Sequence, residues 1–404
     1  MPHLLVLSHR WPEQQACSAG QHLQQILQTF LAGGWQVTFA SSAQPCERKA
    51  DLAALGVIEQ HIRADDQDFL TSQNADVVLF DSFTSEERYT SQVTQHIPQA
   101  LRVLLTGGLQ SLSETRQQLL RRRLIEGLDP NDFRALFATS GPDLYRQMAP
   151  SELTQRELAA IWRCDLTLLT SQAEFDLLVN GFGVPDYLLH YCPPMVEPAA
   201  TSRPFAERQH FVCLGDFASA AQHDALLWLR HNLWPVLRRE LPEAQLYLHG
   251  ANPSARSMAL HAPEQGLHVM GEAPCVETLL GSARVYLAPL RSGAGIDGPL
   301  LDALRQGTPC VTTPVAAEGI QGAHPWPGSI ADTAEGLAKA AAQLYGDAAR
   351  WQRAHDACEP LLKARFDRQR HATVLLGRIE HSLVHIHEQR LYNFVGAMLR
   401  RERR

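Results

Sequence analysis

The stretch Ala288–Gly319, APLRSGAGIDGPLLDALRQGTPCVTTPVAAEG, decides how this chain is read. It follows the apolar run Ala283–Leu287 and has the order strand, glycine loop, helix, turn, strand. Gly293 and Gly295 permit a tight turn and a close approach of backbone to a ligand. Pro299–Arg305 is expected to be helical, because proline suits a first helical turn, where its missing N–H is no loss. Leu300, Leu301 and Leu304 then recur at near-helical spacing. Gly307 and Pro309 stop the helix, and Cys310–Thr313 begins the next buried strand. A glycine loop feeding a helix N-terminus is a ready anion site, since free N–H groups converge there. An ordinary tight turn in a β-α-β unit has the same local pattern.

Working outward, 404 residues suggest two domains or three, and 45% apolar content supplies their cores. Charged residues make up 20% and the net charge is −7, which argues against nucleic acid as a main partner. The eight cysteines are scattered, with no CxxC pair and no metal-site spacing, and read as reduced, mostly buried thiols of a cytoplasmic protein. No metal site is expected. Leu4–Leu7 is too short for a secretory signal and lacks a basic leader. No run approaches the length of a membrane-spanning helix, so no integral membrane segment is expected.

Upstream, Leu4–Ser8, the helix Gln21–Leu31 and the strand Val37–Ala40 make a βαβ start, which predicts a parallel sheet covered on both faces. Further strands are expected at Ala75–Phe80, Leu101–Leu105 and Asp165–Ser171. Asp81 follows its strand on the side where open sheets bind ligands. His9 is a candidate there, with a structural role equally open. Glu86 and Glu87 suit a helix start by charge. Ser171 and Glu174 have capping-box spacing. The run Arg121–Arg123 reads as a solvated helix face. Cys192-Pro193-Pro194 and the Glu197–Arg203 region form the expected hinge.

The second half repeats the alternation. Strands are expected at Phe211–Leu214, Gln245–Leu248, Gly266–Met270, Val285–Ala288 and Val311–Thr313. Asn252 and Pro253 mark a turn. Leu227, Trp228 and Trp234 read as core groups. Residues 348–404 read as mainly helical, with an apolar series that includes Leu375, Ile379, Leu391 and Leu399, and a basic end at Arg400–Arg404.

FVCLG at Phe211–Gly215, Trp234–Pro235, LHG at Leu248–Gly250, ARVYLAPLR at Ala283–Arg291 and the opening stretch together resemble family 4 glycosyltransferases. The resemblance implies an α/β, GT-B fold: two Rossmann-like α/β/α domains facing a central cleft, with a C-terminal helix crossing back to the N-lobe. It divides the chain into an acceptor-side domain over 1–200, a donor-side domain over 201–375 and a returning helix over 376–404. It implies sugar transfer from a nucleotide-sugar donor, a substrate rather than a cofactor, to an unidentified acceptor. It assigns Gly20, Gly215, Gly250, Arg291, Gly293, Gly295, Asp302 and Glu318 to the binding of that nucleotide sugar or nucleoside diphosphate. Gly20 enters through the SAG element Ser18–Gly20, Asp302 as the acid on the ribose, Glu318 through a turn with Gly319 and Ile320. No catalytic residue is assigned.

The chain departs from the family at two places. After Leu101–Leu105 the family reads Asp-Thr-Glu-Asp-Leu-His-Ser-Leu-Arg, and Leu105, Gly107, Gly108, Gln110 and Ser113 stand where it has aspartate, glutamate, aspartate, histidine and arginine. Glutamine does not titrate as histidine does, so proton transfer at that position is lost. In the glycine loop, Asp297 and Pro299 replace the two lysines that neutralise the donor diphosphate, and Ala294 replaces an acid. A carboxylate beside a diphosphate repels it. An alternative therefore stands beside the transferase: a catalytically degenerate homologue that binds a protein partner. The basic C-terminus reads as a solvated tail, with peripheral contact with a membrane surface or an acidic partner as the alternative.

Overall fold

In a computed structural model of the chain, the described residues are 1–13, 18–45, 49–63, 67–200, 202–217, 219–250 and 255–401. The expected turn at Asn252 and Pro253 and the last part of the basic end, 402–404, lie outside them.

Two parallel sheets organise the chain. The first contains β1 (His3–Ser8), β2 (Gln36–Ser41), β3 (Ile58–His61), β4 (Val77–Phe80), β5 (Leu101–Leu105), β6 (Leu166–Leu169) and β7 (Leu189–Tyr191), in the order β3-β2-β1-β4-β5-β6-β7. The second contains β8 (Gln209–Leu214), β9 (Leu246–His249), β10 (Leu267–Gly271), β11 (Ala283–Ala288), β12 (Cys310–Thr312) and β13 (Gly328–Ile330), in the order β10-β9-β8-β11-β12-β13. Both orders start from the middle, run outward and then reverse, the doubly wound pattern whose switch point lies beside the first strand. Alternation along the strands supplies both faces of the second sheet. Phe211, Cys213, Val285 and Leu287 enter one core, while Val212, Leu214, Tyr286 and Ala288 enter another.

The chain forms two compact units: residues 1–111, 141–195 and 368–404, and residues 112–140 and 196–367. Two pieces therefore group differently from a reading along the sequence. Residues 112–140 join the second unit because Phe133 and Leu136 pack in its core, Trp228 Nε1 donates to the Pro130 carbonyl at 2.9 Å and Phe133 N donates to the Asp332 carbonyl at 2.8 Å. Residues 368–404 join the first, where Leu375, Ile379 and Ile386 pack with Leu4, Phe30 and Val37.

Several local expectations are corrected. β3, β7 and β13 were not anticipated: they are short edge strands, and Ile-Glu-Gln-His in β3 carries no buried residue. Leu227 and Leu391 are exposed rather than core. Glu86 is not a cap. Ser82 accepts from Ser85 N at the start of that helix, and Glu86 is fully buried in a two-pronged ion pair with Arg163, whose Nε donates at 2.8 Å. Ser171 makes no capping bond, and Glu174 accepts from the Leu109 N–H at 2.7 Å. Arg123 is not simply solvated, since its guanidinium donates to the Leu136 and Ala138 carbonyls. Arg400 is tied down too, donating to the Arg163 carbonyl at 3.0 Å. Pro235 falls where the helix Ala220–Trp228 passes through a π-helical stretch, Leu229–Leu233, into Trp234–Glu240. A missing N–H is accommodated by that kind of widening.

Candidate functional site

Gly215 and Gly250 follow β8 and β9, and backbone packs there against backbone. Gly215 N donates to the His249 carbonyl at 3.0 Å and Gly250 N to the Gly271 carbonyl at 2.8 Å. A Cβ on Gly250 would lie 2.1 Å from the Gly215 carbonyl oxygen, so no side chain fits. Gly293 and Gly295 take φ +150° and +74° after β11, as the turn requires. The helix that follows runs Gly298–Arg305, and Asp297 is its N-cap, accepting from Leu300 N at 3.4 Å. The carboxylate that the sequence reading set against a diphosphate thus caps a helix. Burial raises its pKa from 3.8 to about 7, against the opposing pull of the Leu300 N–H.

Glu318 lies within the helix Pro314–Gln321 rather than in a turn. Gly319 beside it is required: its Cβ would stand 2.3 Å from the Gly295 carbonyl. The Glu318 carboxylate is held by Arg116 through two bonds of 2.9 Å, and Arg116 Nη1 also donates to the Gly293 carbonyl at 2.9 Å. Arg116 and Glu318 retain 21% and 35% side-chain exposure, so solvent reaches both.

Arg291 is differently placed. Only 5% exposed, it forks onto Asp224 at 2.7 and 3.0 Å and reaches the Pro130 carbonyl at 3.3 Å. Asp224, within the helix Ala220–Trp228, was not singled out from sequence, since its arginine partner lies far along the chain. Beside Arg291, the buried Ser292 Oγ has no hydrogen-bond partner among the described residues. Asp302 pairs with Arg305 at 3.0 Å. Burial raises its pKa, and Arg305 opposes this. The second unit thus holds Gly215, Gly250, Arg291, Gly293, Gly295, Asp302 and Glu318, while Gly20 lies in the first turn of the helix Ser18–Ala32 of the first.

In the first unit, the segment that departs from the family pattern is filled by the chain's own carboxylates. Gln110 N donates to Glu157 Oε1 at 3.0 Å, and Ser111 N and Oγ donate to Oε2 at 3.2 and 2.5 Å. Together with Glu174 on Leu109 N, these occupy the first N–H groups of the helix Gln110–Ile125. Burial raises the Glu157 pKa although Ser111 and the backbone bonds pull it down. Asp81 accepts from Ser8 Oγ at 2.5 Å and from Ser85 Oγ at 2.6 Å. His9 Nδ1 lies 2.9 Å from Ser85 Oγ. Among the described residues no group of three or more His, Cys, Asp or Glu side chains is placed to hold a metal ion, and no helix is long and apolar enough to cross a membrane.

Two doubly wound parallel-sheet units of this order, with the last helices returned to the first unit, define the GT-B fold. Residues 208–347 match the family model of glycosyl transferases group 1. Among solved structures, the chain is similar to HepE of Anabaena, crystallised with UDP and glucose, at 11% identity and a TM-score of 0.66, over 94% of this chain and 99% of that one. It is similar to sucrose-phosphate synthase of Thermosynechococcus elongatus at 14% identity and a TM-score of 0.63, over 95% and 99%. Against TarM of S. aureus the values are 9% and 0.58, over 78% of this chain and 58% of that one, so the chain spans less than two thirds of TarM. Identities this low establish the fold. Comparison with curated proteins gave no match.

Proposed function

We propose that the chain is a glycosyltransferase-type protein of the family 4 kind, binding a nucleoside-diphosphate sugar on its second unit and transferring the sugar to an acceptor. One coincidence supports the reading. The matched region, 208–347, is also the region whose glycines gather at the C-terminal ends of a doubly wound sheet, where such sheets take nucleotides. That HepE was crystallised with UDP is consistent with it.

Of the nearby cations, Arg116 rather than Arg291 is suited to the diphosphate. It is the more exposed, and its partner Glu318 is itself open to solvent, so a doubly charged phosphate group can displace one carboxylate from the guanidinium fork. Transfer breaks the bond between the anomeric carbon and the diphosphate oxygen and forms one to the acceptor oxygen. Negative charge builds on the departing diphosphate, where Arg116 and the loop N–H groups stabilise it, and the acceptor's proton passes to that diphosphate oxygen. Calorimetry with UDP, GDP, ADP and UDP-glucose tests the binding. At least one should bind, and Arg116→Ala should weaken it about tenfold. No heat with any of them ends this reading.

A second reading, a degenerate homologue with a protein partner, is favoured by a separate observation. Arg116 and Arg291 are both already matched by the chain's own carboxylates, and positions 297 and 299 carry no cation. It requires a folded protein with no turnover of any nucleotide sugar and a stoichiometric protein companion on purification from its native cell. Measurable sugar transfer by the isolated chain excludes it.

A further inference from the structure

The second unit contains a cavity of about 290 Å³ against the β8–β9 face of its sheet, lined by Glu207, His210, Val212, Tyr247, His249 and Leu279 among others. It extends to the start of β8, at the opposite end of that strand from Gly215. His210 has φ +64°, and the register of β8 with β11 passes from Gln209–Ala283 to Phe211–Val285 without it. Glycine is the residue suited to that backbone. A histidine held there against its preference points to use of the imidazole.

The surroundings specify what the cavity can take. The Tyr247 ring lies 5.1 Å from the His210 ring and is backed by His268, stacked on it at 4.8 Å and itself bonded to Gln245 Oε1 at 2.7 Å. The tyrosine is therefore a fixed platform. Among the described residues Nδ1 of His210 is buried and without a hydrogen-bond partner, while the His249 imidazole is bonded to the Gly271 backbone. Burial, as the largest cause, holds both histidines below the ordinary 6.5. Val212 and Leu279 supply apolar wall. Among the described residues the charged lining is the Glu207 carboxylate, with no lysine or arginine, which disfavours phosphates and other anions. The volume is that of a single small ring rather than a nucleotide.

We propose that this cavity binds one neutral sugar ring, apart from the nucleotide-binding turns. Its C–H face lies on Tyr247 and its hydroxyls bond to the Glu207 carboxylate. The test is saturation-transfer NMR on the full chain with glucose, galactose, mannose and N-acetylglucosamine, each at about 10 mM, with and without excess UDP. His210→Gly suits the left-handed backbone and should fold at least as well as the parent; Tyr247→Leu is a second variant. At least one sugar should give transfer that persists with UDP and falls by about fivefold or more in both variants. No transfer from any sugar, transfer abolished by UDP, or transfer unchanged in the two variants overturns the proposal. The sugar signal is read whether or not UDP binds, so the failure of nucleotide binding and the failure of this site are distinguishable.

Discussion

Arg116 and Glu318 face each other as a two-pronged ion pair, both bonds 2.9 Å long, with the Gly293 carbonyl on the same guanidinium. They are 202 residues apart in sequence, and their pairing ties the glycine loop to the helices Gln110–Ile125 and Pro314–Gln321.

A carboxylate on the phosphate-binding cation competes with a phosphate. Glu318→Gln is therefore expected to tighten UDP binding, by about three- to tenfold, with a steeper loss of affinity in salt as more of the guanidinium engages phosphate. Calorimetry at two ionic strengths measures this. Weaker binding in the variant would instead mean that Glu318 contacts the donor directly.

Asp297 gives a pH signature. Its folded pKa, about 7, lies above its ordinary 3.8, so between these values the folded chain holds more proton than the unfolded one. Its contribution is then fully favourable below about pH 4 and is lost as pH rises through 7. The difference corresponds to at most roughly 4 kcal/mol. An asparagine at this position would keep the cap without the charge, so Asp297→Asn should gain stability over the parent from pH 4 to pH 7 and level off above. Urea unfolding at a series of pH values checks it.

Glu86 and Arg163, 0% and 3% exposed at their side chains, form a buried pair. Removing one partner leaves a buried charge. Arg163→Met or Glu86→Gln should cost roughly 3–5 kcal/mol, and the double substitution should recover part of it. Thermal unfolding of the three variants tests the coupling.

Asp165 anchors the returning segment. Burial opposes its ionisation, but Arg102 and the Arg390 fork, at 2.7 and 2.9 Å, hold its pKa below the ordinary carboxylate range. Stability from a depressed carboxyl is present above its unfolded pKa and lost as pH falls through the folded value. Arg390→Ala should cost about 2–4 kcal/mol near pH 7, less in acid, and should raise hydrogen exchange over 368–401 first.

Gly250→Ala places a methyl 2.1 Å from the Gly215 carbonyl oxygen, with the Phe217 ring at 3.0 Å. A cost of about 2 kcal/mol or more is expected, with loss of nucleotide binding. Gly346→Ala, with nothing within 4 Å, is the neutral control.

Much of the architecture was legible in the chain itself. Runs such as Leu4–Leu7, Val77–Phe80 and Val285–Ala288 are buried on both faces, and continuous apolar strands with helices between them admit few arrangements other than parallel sheets. The glycines at 215, 250, 293 and 295 were also readable, because backbone geometry is a property of the residue. The edge strand Ile58–His61 was not, since a strand that buries nothing carries no periodic signal.

What tertiary structure alone decided is the state of the charges. A carboxylate reads the same in sequence whether it caps a helix, as Asp297 does, clamps an arginine, as Glu318 and Asp224 do, or fills the start of another helix, as Glu157 and Glu174 do. Except for the Asp297 cap, whose partner Leu300 is local, the partner lies tens or hundreds of residues away and its energy depends on burial, so residue type states which groups can ionise while only folding states which are already matched.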